Sequence, residues 1–90
     1  MKNKIITVLA MNDHSEAMRV ASGLTIFGHE VNCIFTDKPI EKTEENIESA
    51  ELLEICEIIP YSIIEDPNID RISKDYFIKI LSNSDEVVSI

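Results

Sequence analysis

The run Ile5-Ile6-Thr7-Val8-Leu9-Ala10-Met11 is almost unbroken in apolar side chains, and that feature constrains the fold most. A strand with one wet face alternates apolar and polar residues; a near-continuous run belongs to a strand covered on both faces, as in a parallel sheet. Asn12-Asp13-His14-Ser15 then breaks the run. Asp13, with Glu16 three residues later, fits a variant capping box, and Ser15 is a competing cap. Ala17, Val20, Ala21, Leu24 and Phe27 follow at helical spacing, and Gly28 is placed to end the helix as a left-handed C′ residue. His29 to Thr36 reads as the second strand, with Val31, Cys33 and Phe35 on its apolar side and Glu30 and Asn32 on a wet side, the pattern of an edge strand. A compact strand–helix–strand unit implies a right-handed parallel crossover.

The rest of the chain repeats this grammar. Asp37-Lys38-Pro39 is a turn, and Thr43 caps a helix through about Ile55 with Glu44 and Glu45 in its first turn. Its inner face is read as Ile47, Ala50 and Leu53, flanked by Leu52 and Ile55. Cys56-Glu57-Ile58-Ile59 reads as the third strand, ending near Pro60, and Ile64 to Asn68 as a turn. Ile69 to Ile72 forms a very short strand. Ser73 caps a last helix with Tyr76, Phe77, Ile80 and Leu81 inside, Asn83-Ser84-Asp85 stops it, and Glu86 to Ile90 makes a final strand. The expected fold is a three-layer α/β/α domain over residues 1–90, with a mostly parallel sheet of four to five strands.

Charge narrows the function classes. With 17 acidic and 8 basic residues the net charge is −9, which argues against nucleic-acid backbones and anionic membrane surfaces as partners. No stretch approaches the roughly 20 apolar residues that span a bilayer. Met1-Lys2-Asn3-Lys4 before an apolar run has the outline of a signal peptide. The run is too short, however, and an amphipathic segment follows it without a small-residue cleavage site, so it reads as a strand. Cys33 and Cys56 form no disulfide framework, which points to a reducing, cytoplasmic setting. A domain this small leaves apolar surface uncovered, so self-association is expected.

In an open parallel sheet, ligands collect outside the carboxyl ends of the strands. Asn12 to Ser15, Thr36 to Pro39, Tyr61 to Glu65 and Ile90 lie on that rim. The candidate binding residues are Asn12, Asp13, His14 and Ser15, where a helix start offers backbone N–H groups, together with Tyr61 and Ser62. His14 can act there as proton donor or anion partner, against the plainer reading of a solvated first-turn residue. Asp13 reads as a helix cap before it reads as a catalytic acid, and His29 as structural. Cys33 reads as a core residue. Cys56 lies between Glu54 and Glu57, which disfavour a thiolate. Both remain weak candidates for a catalytic thiol. No Cys or His pair has metal-ligand spacing, and no cofactor is implied. With only Gly23 and Gly28, the chain has neither a dinucleotide fingerprint nor a P-loop, and it has no Gly-x-Ser-x-Gly elbow and no Cys-x-x-Cys.

The stretch from Ile5 to Phe35, with its Ser15-Glu16-Ala17-Met18-Arg19-Val20-Ala21 helix and Gly28-His29-Glu30-Val31 leading into strand two, resembles the DsrE/DsrF-like sulfur-relay family. Ile69-Asp70-Arg71-Ile72-Ser73 before a helix, then Ser84-Asp85-Glu86-Val87-Val88, resembles that family's closing helix and strand. The resemblance implies an α/β/α fold and assembly into homo- or hetero-oligomers with related subunits. It also implies, in active members, a persulfide-carrying cysteine near the end of strand three. That position falls here at Tyr61 or Ser62, and neither carries sulfur. The expectation is a non-catalytic DsrE-like subunit or small-ligand-binding domain linked to sulfur relay or redox metabolism. The alternatives are a sulfurtransferase-type carrier using a displaced cysteine and an anion- or nucleotide-binding module using the loop after strand one.

Overall fold

The computed structural model describes residues 3–90. Met1 and Lys2, half of the basic flank read ahead of the first strand, lie outside the described residues. Five strands form one all-parallel sheet: β1 (Ile5–Ala10), β2 (Glu30–Phe35), β3 (Tyr61–Ser62), β4 (Asp70–Arg71) and β5 (Glu86–Ser89), in the order β4-β3-β2-β1-β5. Helices α1 (His14–Ile26) and α2 (Glu44–Ile55) follow β1 and β2, and α3 (Lys74–Asn83) precedes β5. The expected three-layer α/β/α architecture is present.

The apolar run does what its composition requires. β1 pairs with β2 along its whole length and with β5 from Ile6 to Leu9. Each step from β1 to β2 to β3 moves the same way across the sheet, so right-handed crossovers place α1 and α2 side by side on one face. The passage from β4 to β5 travels back across the sheet and puts α3 on the other face. Val8, Ala10, Cys33 and Phe35 point to the first face and form the core with Ala17, Met18, Ala21, Leu53 and Ile58. Thr7 points to the second, where its hydroxyl meets those of Ser84 and the amide of Asn32. That face is thinner. No residue of α3 is fully buried, and Tyr76, read as an inner residue, is half exposed.

Three further sequence readings give way. β2 is not an edge strand, since it lies between β1 and β3. Its polar Glu30 and Asn32 sit on the side that α3 covers only in part. The inner face of α2 is Ser49 and Leu53; Ile47, Ala50, Leu52 and Ile55 are exposed. Phe27, assigned to the inner face of the first helix, is the C-cap of α1 and is exposed.

The third strand is displaced too. Cys56 to Ile59 is not a strand, because Cys56 is the C-cap of α2. The ends of α1 and α2 show why the sequence read one correctly and the other not. At α1, Gly28 N–H donates to the Thr25 carbonyl and His29 N–H to the Leu24 carbonyl, with Gly28 at φ +91°. At α2, Glu57 N–H donates to Glu54 and Ile58 N–H to Leu53, with Glu57 at φ +60°. Both are Schellman caps, and Ile58 packs with Leu53 in the core as that motif favours. Only the first carries glycine. Glu57 holds a left-handed conformation that costs a side-chain-bearing residue about 1–2 kcal/mol. Glu57→Gly is therefore expected to stabilise the protein by about 0.5–1 kcal/mol, after the entropic cost of glycine is subtracted. Urea unfolding of the two proteins checks this, and a destabilised variant would contradict the cap.

Candidate functional site

The carboxyl ends of β1 and β5 are fastened together, since Met11 N–H and Asn12 N–H both donate to the Ile90 carbonyl. The chain then turns into α1 through Asp13. Asp13 takes the expected N-cap conformation, and its Oδ1 accepts from Glu16 N–H at 3.1 Å. Ser15, the competing cap, lies inside the helix. Its buried hydroxyl meets that of Ser49 at 2.8 Å and ties α1 to α2.

His14 departs from its reading as a solvated residue. Its side chain is 4% exposed, and Nε2 donates to Asp37 Oδ1 at 2.8 Å. The ring stands edge-on to Phe35, 5.0 Å between centroids. Phe35 ends β2 and Asp37 lies just beyond it, so this contact locks the first turn of α1 to the rim of the sheet. Partial burial disfavours the Asp37 carboxylate. Against it act the hydrogen bond from His14, the backbone N–H of Lys38 and the charge of the imidazole, which together hold the carboxyl below its usual range. The sequence could have suggested this pair only through the position of both residues at strand ends.

Asn12 to Ser15 border a shallow hollow of about 320 Å³, closed opposite by Lys38, Glu41, Thr43 and Glu45. Its charges are mostly acidic, and the cations nearby are engaged: Lys38 lies 3.8 Å from Glu41, and Arg19 binds Glu16 and Glu45. Tyr61 and Ser62 do not join this hollow. They lie on β3, beyond β2, and Ser62 is fully buried. Its Oγ donates to the Ile64 carbonyl at 2.8 Å and accepts from Ile64 N–H, so it shapes the turn after β3.

The thiols are equally committed. Cys33 is fully buried and burial pushes its pKa up to about 12, far from a thiolate at neutral pH. Cys56 is partly buried at the end of α2, with Sγ 3.8 Å from the Ser22 carbonyl. Among the described residues no cluster of three or more His, Cys, Asp or Glu side chains could hold a metal, and no helix is long and apolar enough to cross a membrane.

Two features escaped the sequence reading. Asp66, nearly buried, accepts from Ile40 N–H and Asn68 N–H and so joins the loop before α2 to the loop before β4. The Asp66-Pro67-Asn68 turn chemistry signals the second bond but not the first. The other is an apolar groove beside α2, described below. Compared with family models, curated proteins and solved structures, the chain matches none.

The His14–Asp37 contact has a measurable pH signature. Asp37→Asn is expected to cost about 1 kcal/mol at neutral pH, the size of one hydrogen bond. Because the folded-state pKa of Asp37 lies below its unfolded value, this contribution is complete above pH ~4 and is lost as pH falls through the depressed value. Urea unfolding of both proteins at stepped pH checks it. A deficit unchanged in acid would show that the carboxylate charge plays no part.

Proposed function

We propose that the chain is a non-catalytic DsrE-like subunit, a domain whose work is binding in a cytoplasmic sulfur-relay or redox setting. One observation carries the reading. At the end of β3, where the resemblance calls for a persulfide-bearing cysteine, stands Ser62, with its hydroxyl buried and bonded to the turn that follows. Neither cysteine compensates: Cys33 is sealed in the core, and Cys56 faces a carbonyl at the far end of α2. The rim side chains His14 and Ser15 are occupied with Asp37 and Ser49, which weighs against a catalytic role for either.

Surface composition supports the subunit half of the proposal. Ile26 and Phe27 at the end of α1, and Ile55 and Ile59 at the end of α2, are all at least 66% exposed. The two helices run side by side, so these apolar groups crowd one end of the domain. Large exposed apolar patches mark contact surfaces. The link to sulfur relay rests on the resemblance alone.

Intact-protein mass spectrometry after timed alkylation at neutral pH tests the reading. Cys33 is expected to label only as the protein unfolds, and Cys56 no faster than the thiol of a short unstructured peptide. No sulfur adduct is expected on either. A persulfide on the natively purified protein, or a thiol that reacts faster than the peptide, would replace this proposal with a sulfur carrier.

A further inference from the structure

Parallel neighbours in a sheet are normally joined by a crossover of about a dozen residues or more, usually a helix that covers one face. The passages β1 to β2 and β2 to β3 obey this rule with α1 and α2. The passage β3 to β4 does not, because only Ile63–Ile69 join them. A right-handed crossover there would lie on the same face as α1 and α2, next in line after α2. In its place runs an open groove of about 640 Å³ between α2 and the segment leading into β4.

The groove has apolar walls and a charged rim. Ile47 and Leu53 of α2, with Ile40, Ile58, Ile59 and Ile69, supply the apolar surface. Ile47 and Ile59 are 50% and 66% exposed, so the apolar surface is uncovered. Glu41, Glu51 and Glu54 stand at its edge against Lys42. The solvent side of α2 is acidic throughout, with Glu44, Glu45 and Glu48 and no basic residue. Glu51 and Glu54 have no cationic partner among the described residues.

We infer that this groove receives a basic amphipathic helix from a partner protein, which fills the seat of the missing crossover helix. The inference deepens the subunit reading above and rests on it for the existence of a partner. Shape selects a helix: the groove follows α2, about 18 Å long, enough for three turns laid alongside. Apolar residues at i, i+3, i+4 and i+7 would meet the isoleucines, as in other helix-in-groove recognition. Charge selects the sign of the partner. Lysines or arginines flanking the apolar stripe would pair with Glu41, Glu51 and Glu54, whereas a second copy of this chain brings a net charge of −9 to the same rim.

The test uses the full ¹⁵N-labelled chain and two synthetic peptides of about 14 residues, long enough to span α2. One has leucine at i, i+3, i+4 and i+7 with lysine elsewhere; the other has glutamate in place of lysine. The leucine/lysine peptide is expected to shift the amides of Ile47, Ala50, Glu51, Ile59 and Ile69. Binding should weaken with salt, as contacts at an exposed charged rim do. The leucine/glutamate peptide and the groove-filling variant Ala50→Lys should each bind about tenfold more weakly or worse. Ala50 is exposed on α2 and lysine is a good helix former, so this variant keeps the fold, which its unperturbed amide spectrum verifies. Equal binding of both peptides, or shifts confined to α3 and β5, would overturn the inference. So would concentration-dependent dimerisation abolished by Ala50→Lys, which would make the occupant a second copy. A peptide that misses the groove leaves the silent thiols standing, and a persulfide on Cys56 would leave the groove result standing, so the two proposals fail separately.

Discussion

Everything in this domain is arranged around the need of β1 to hide both faces and satisfy both edges. Its edges are paired by β2 and β5, and its faces are covered by α1 on one side and by the thinner layer of α3 on the other. Because both partners run parallel to it, each must be reached by a crossover, and handedness fixes the side on which each crossover lies. The layer order follows from that single strand. So does the location of the rim, where Met11 and Asn12 are tied to the Ile90 carbonyl and α1 departs.

The rim is built from mutual commitments. His14 binds Asp37 and leans on Phe35, Ser15 binds Ser49, and Asp13 caps α1. Each contact joins elements that the sequence separates, and each occupies a group that would otherwise be free for a ligand. Polar side chains at strand ends can thus serve as fasteners. Here they hold the first turns of α1 and α2 against the carboxyl end of the sheet. What stays uncommitted is apolar surface, in the groove along α2 and at the far ends of α1 and α2.

Much of the fold was legible because local signals agreed with one another. The β1–α1–β2 unit was bounded by a cap at Asp13 and a stop at Gly28, and both hold in the structure. Thr43 and Ser73 cap α2 and α3 as their sequence contexts indicated. The failures have equally local causes. Glu57 occupies a position that glycine usually marks, so the helix end was invisible and its apolar tail was taken for a strand. Glutamates and isoleucines alternate on α2 without a clear apolar face, so its buried side could not be picked out. Of the candidate site, the cap role of Asp13 and the core role of Cys33 were legible. The burial of His14 was not, because it depends on an aspartate twenty-three positions away.

The sequence by itself determined the class of fold, the helix starts, the absence of glycine-rich phosphate loops and the lack of a cysteine at the end of the third strand. These are properties of composition and short-range spacing, and no long-range contact can alter them. Only the tertiary structure decided that β2 is interior, that His14 is enclosed and that α2 lies beside an open apolar groove. Those outcomes depend on which strands become neighbours and on how short the passage from β3 to β4 is relative to the face it leaves bare. They arise where distant segments meet, and local pattern carries no record of that meeting.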